Sequence, residues 1–349
     1  NNTGIGNNAL GGNILGSDSV AIGKDALEEQ NPAGTSIVSM NNVAVGTSAG
    51  QKITTGTQNT LIGGLAGDAL TAAFENVAIG YEAQTTDTLG RRTVAVGNGA
   101  LQSQNFTTAT NSYNTAVGYD AGTAVTTGIQ NTLIGGLAGD ALLAAADNVA
   151  VGFEALSTET GGQNNVAIGP RALKVQVNSS GNIYNTAVGA NAGTAVTTGV
   201  QNTLIGGGAG DALTDADSNV AIGYLSLTTD TLGSRAVAVG QGALFSQNFT
   251  TATNSYNVGI GYETGGAITT GRSNTLIGGL AGDALTDADY NVAIGTDALT
   301  ADTLGSNSVA VGVGALYTQN FTTATNAYNV AVGRSAGLSV TTGINNAIL

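Results

Sequence analysis

Carboxylates are the only ionisable side chains present in number. The 349 residues hold 23 Asp and Glu against nine Lys and Arg, with no His and no Cys. Two kinds of chemistry are open to such a set. A pair of carboxylates can act as acid and base on a glycosidic bond, and clustered oxygen ligands suit Ca²⁺. The densest candidates are the two TDAD strings at 214–217 and 286–289, which offer Asp215, Asp217, Asp287 and Asp289. At the corresponding places in the earlier repeats the chain reads TAAF (71–74) and LAAA (143–146), and the glycine-rich nonapeptide of calcium-binding β-helices is missing. The strings therefore read as solvated acidic loops, and no metal or cofactor is expected. Without His there is no Ser-His-Asp constellation. The acids also recur with the repeat instead of standing once, as an active site would, so the chain does not read as an enzyme.

Aromatic residues are the next candidates. They make up 5% of the chain, yet three near-identical inserts carry a pair each: QNFTTATNSY at 104–113 and 247–256, and QNFTTATNAY at 319–328. An insert is pushed away from the body of a repeat and into solvent, where binding residues concentrate. Phe106, Tyr113, Phe249, Tyr256, Phe321 and Tyr328, flanked by Asn and Thr, would suit stacking against sugars. In the alternative, each Phe folds back over the edge of its repeat. Asn105, Asn248 and Asn320 open N-F-T sequons in the same inserts. Thr-rich strings such as TTDT (85–88, 228–231) raise ice binding, but they fall at different phases of the repeat and cannot form one flat array.

The element that positions these groups is a single repeat, N-x-A-[IV]-G, found nineteen times in phase, mostly 17 residues apart, with a cut-off start at Asn346. Counting the Asn as position one, position four is always Ile or Val and position two mostly Val or Thr, which favours a strand. Position five is always Gly, including Gly63, Gly80, Gly97 and Gly118, as expected of a turn that other residues resist. Each repeat is thus a short strand, a Gly turn, a second short segment and a polar loop. The pattern predicts an all-β fold, a parallel β-solenoid of about 19 complete coils. Stacked Asn amides would form a ladder along it, lapsing at Ser19, Thr93, Ala236 and Ser308. Side chains alternate across a strand. With positions two and four facing the coil's own core, position three faces out, yet it is Ala almost everywhere and Leu in the NTLIGG coils. Such a strand is buried on both faces, so Ala78, Ala95, Ala116 and Leu133 are expected at a contact with another copy of the chain. A longer period of four coils, marked by NTLIGG at 59, 131, 202 and 274, lies on top.

Composition narrows the partners. The net charge of −14 with so few cations argues against nucleic acid and anionic membranes, which need basic clusters. No apolar run is long enough to span a bilayer. Absence of Cys is compatible with an exported protein that forgoes disulfides. Composition does not shift along the chain, so residues 1–349 read as one continuous solenoid, starting and stopping mid-pattern like a piece of a longer repeat protein.

NVAIGYEA (76–83), SVAIGKDA (19–26) and NVAIGTDA (291–298) carry a resemblance. They are similar to the head repeats of YadA-like trimeric autotransporter adhesins. The resemblance covers the whole chain, with coils longer than the family's usual ones, and the neck, stalk and anchor of that family are not in it. It implies a left-handed parallel β-roll, a homotrimer, and an extracellular adhesin on a cell surface that attaches to host-cell, matrix or glycan surfaces. Strings like NTAVGYDAG (114–122) also resemble phage and giant-virus fibre proteins. The alternatives to an adhesin are therefore a virion or phage tail-fibre shaft, or a purely structural surface filament.

Overall fold

A computed structural model describes residues 1–349. The chain is all-β without a helix. It is a parallel β-solenoid of about twenty turns, in which one three-residue strand recurs mostly every 17 residues. Its residues fall into two compact units, 1–171 with 177–182 and 172–176 with 183–349. In the first, strands run from Thr3–Ile5 through Thr60–Ile62, Val77–Ile79, Val94–Val96 and Thr115–Val117 to Val166–Ile168. Each pairs in parallel with its predecessor, position for position: Ala78 lies opposite Ala95, and Ala95 opposite Ala116. In the second, strands from Thr186–Val188 to Ala347–Ile348 pair in the same register. Short second strands form where inserts occur, Gly90–Arg91 with Thr110–Asn111 in the first unit, Gly233–Ser234 with Thr253–Asn254 in the second.

The Gly at position five ends each strand because nothing else fits there. Gly63 has φ +137°, and a Cβ on it would lie 2.3 Å from the carbonyl oxygen of Gly80 on the next coil. Gly80, Gly97 and Gly118 repeat this, with φ of +140°, +141° and +144°. The turns that follow also use left-handed conformations at residues with side chains, such as Glu82 (φ 55°) and Gln84 (φ 52°), which costs more than at Gly.

The two faces of the strand are the reverse of the sequence expectation. Ala78, Ala95, Ala116 and Leu133 are fully buried inside their own coil, so they are core residues and not inter-chain contacts. Positions two and four face outward instead, with Ile62, Ile134, Ile205 and Ile294 exposed. The physical reason is space. Position three points straight at the turn: where Gly259 occupies it, an added Cβ would meet Leu244 Cγ at 3.0 Å. Where position nine is Leu, position three is small, as at Ala95 with Leu101. Leu stands where position nine is Gly on both its own coil and the one before: Leu61 fills the space beside Gly67 and Gly50, and Leu133 that beside Gly139 and Gly122. The alternation of large and small residues lets neighbouring coils interdigitate in the core.

The Asn ladder runs through this core. Asn76 Nδ2 donates to Asn59 Oδ1 (3.2 Å) and to the Gly90 carbonyl (2.9 Å), and its backbone N–H donates to the same Asn59 Oδ1 (3.1 Å). Buried polar groups must be partnered, and here the side chain caps its own coil while linking to the one before. At the lapse, Thr93, the ladder is patched from the insert. Gln104 Oε1 accepts from Asn114 Nδ2 (2.8 Å), and Gln104 Nε2 donates to Asp87 Oδ2 (2.7 Å). Asp87 Oδ1 in turn accepts from the backbone of Gly90 and Phe106. Asp230 with Gln247 and Asp302 with Gln319 repeat the arrangement. Burial pushes the Asp230 carboxyl above its ordinary value.

Candidate functional site

Three surfaces of the coil could carry a site, two of them expected from the sequence, and the structure treats them differently. The inserts come first. Phe106, Phe249 and Phe321 are only 5%, 5% and 6% exposed, so they are not ligand-facing. Their backbone N–H groups donate to Asp87, Asp230 and Asp302 at 3.0–3.1 Å, which turns each ring inward at the start of the insert. The ring occupies room left by a Gly: a Cβ on Gly305 would meet Phe321 Cδ2 at 2.7 Å. Only the tyrosines of the pairs, Tyr113, Tyr256 and Tyr328, are exposed. Tyr113 and Tyr256 are held by their hydroxyls, which accept from Arg92 (3.0 Å) and Arg235 (3.2 Å). The sequon residues are half-buried, and Asn105 Oδ1 accepts from Thr88.

The acidic strings come second. In TDAD the Ala, at 216 and 288, is buried, so the flanking acids point away from the core. Asp215 accepts from the Thr198 hydroxyl (2.5 Å) and Asp217 from the Val200 backbone (2.8 Å). Asp287 and Asp289 do the same with Thr270 and the Arg272 backbone. These acids tie neighbouring coils together, each one engaged by a different donor. No three acids converge as a metal would require.

The third surface went unrecognised in the sequence. Position six, just after the Gly turn, carries exposed aromatics on alternate coils: Tyr81, Tyr119 and Phe153 in the first unit, Tyr224 and Tyr262 in the second. Gly at position six of the preceding coil gives some of these rings a floor to lie on. The Cβ position of Gly64 is 3.4 Å from the Tyr81 ring, and that of Gly207 is 3.5 Å from Tyr224. Neighbouring acids at position seven push three hydroxyls above their ordinary pKa by hydrogen bonding and charge: Glu82 on Tyr81, Asp120 on Tyr119, Glu263 on Tyr262. The available signal was the phase itself, aromatics recurring directly after the invariant Gly.

Beside this column in the second unit lies a groove of about 420 Å³, lined by Tyr224, Gln241, Phe245, Glu263 and Asp283. No protein family matches the chain, and no characterised protein matches it in sequence.

Proposed function

We propose that the chain is a segment of an extracellular, adhesin-like surface fibre. Copies associate along the outward stripe of positions two and four, and the rest of the surface displays side chains for attachment to cells or other surfaces. The observation that carries this reading is the stripe. In every coil it is a Val or Thr with an Ile or Val, with no charged residue among them. Parallel in-register stacking makes these pairs continuous along each unit. A lengthwise uncharged β-branched surface is of the kind that marks a protein interface, and an identical patch on every coil suits a second copy of the same chain. The similarity of the repeat to YadA-like heads supports a trimer. The repeated exposed tyrosines support attachment, because Tyr is favoured where contact area and a polar tip are both needed.

Sedimentation equilibrium tests assembly, and adhesion of the labelled protein to cells and to glycan-coated beads tests attachment. The reading expects a trimer that adheres. A monomer that adheres to nothing overturns it. The buried Phe side chains favour a second reading, a purely structural filament, because they make the inserts part of the core. That filament would assemble and adhere to nothing.

A further inference from the structure

We propose that the groove bounded by Tyr224, Gln241, Phe245, Glu263 and Asp283 binds a neutral, extended glycan. This deepens the attachment reading and rests on it. The groove is hollowed by two glycines. Gly242 stands at position seven, where Glu or Asp occurs on other coils, and a Cβ there would already meet Glu263 Cγ at 3.3 Å. Gly266 likewise leaves position ten empty. Its walls are aromatic, with Tyr224 59% and Phe245 42% exposed. Its polar groups are an amide, Gln241, and two carboxylates, Glu263 and Asp283. Asp283 Oδ1 accepts the Thr300 hydroxyl, leaving its other oxygen free for a ligand.

This combination selects its ligand. The C–H faces of a pyranose ring carry slight positive charge and pack on the negative face of an aromatic ring. Sugar hydroxyls can donate to the carboxylates and exchange hydrogen bonds with the amide. No Lys or Arg lines the groove and the chain carries −14, so acidic sugars are repelled. The register adds a length. Tyr224 and Tyr262 occupy the same position on strands joined through Val237–Val239. They therefore stand two strand spacings apart, about 9.6 Å, close to one disaccharide of a flat β-1,4-linked chain whose alternate rings present the same face.

The first unit supplies an internal control. Two blocks earlier, the positions of Phe245 and Gly266 hold Gln102 and Thr123. Gln102 Nε2 donates to Glu82 Oε2 at 2.5 Å and ties that side chain across the space. Converting Phe245→Gln together with Gly266→Thr installs the first unit's side chains at these two positions, where Leu225 stands in place of Glu82.

The experiment is isothermal titration of the full chain with a β-1,4-linked glucose hexamer, and with a galacturonic acid hexamer as the acidic probe. The wild type should bind the neutral hexamer saturably. Tyr224→Ala and the F245Q/G266T double variant should each weaken binding by about tenfold or more. Circular dichroism confirms that each variant is folded. No saturable binding by the wild type, equal binding by the double variant, or preference for the acidic hexamer overturns the proposal. Adhesion to cells measured on the same samples separates the two readings. Adhesion that survives in the double variant removes the groove and keeps the fibre. Wild-type protein that neither adheres nor assembles removes both.

Discussion

The inner and outer faces of one strand present opposite chemistry for opposite reasons. At Ala293 the side chain is fully buried, while Ile294 beside it is 36% exposed. The smaller residue is inside and the larger one outside. The interior of a coil this narrow has little room behind position three, so residue size there is set by what position nine leaves on its own coil and on the one before. The outer face has room, and β-branched residues occupy it because they suit an extended backbone.

The largest effect should come from forcing charge into the inner face. Ala116→Glu buries an unpaired carboxylate and displaces the turn, and should leave the chain unfolded by circular dichroism; a folded protein would break the comparison. Leu133→Ala comes next. Its neighbours at Gly122 and Gly139 have no side chains to move into the void, so a loss of about 3–5 kcal/mol is expected in chemical denaturation. Replacing Gln247 with Ala removes one of the two acceptors of the buried Asn257 amide (2.8 Å) and the side-chain donor to Asp230 Oδ2 (2.6 Å). The expected cost is about 1–3 kcal/mol. Smallest is the outer face, where Ile205→Thr should change stability by about 0.5 kcal/mol or less in the separated chain. A larger loss there would mean that the outward face is core.

Much of the fold is legible because it is local and repeated. Strand, Gly turn and Asn ladder each follow from a residue type recurring at one phase, and Gly63 and Asn76 behave as that phase predicts. The facing of the strand is not legible. A two-residue period defines two faces without saying which is inside, and both are apolar here. The inserts fail for a related reason. Phe106 turns inward because Asp87, nineteen residues earlier, binds its backbone, and Gln104 is a core residue because the ladder lapses at Thr93, eleven residues earlier in the same coil. Neither contact follows from composition. The groove depends on two absences, at Gly242 and Gly266, which in sequence look like any other glycine in a chain holding 54.

The most direct measurement compares neighbouring residues of one strand. Ala293→Glu and Ile294→Glu are made separately, and each protein is examined by circular dichroism and sedimentation equilibrium. The account predicts that Ala293→Glu does not fold, while Ile294→Glu folds as a β-solenoid and sediments as a monomer. A folded, dissociated Ala293→Glu beside an unfolded Ile294→Glu would place the core on the other face and contradict it.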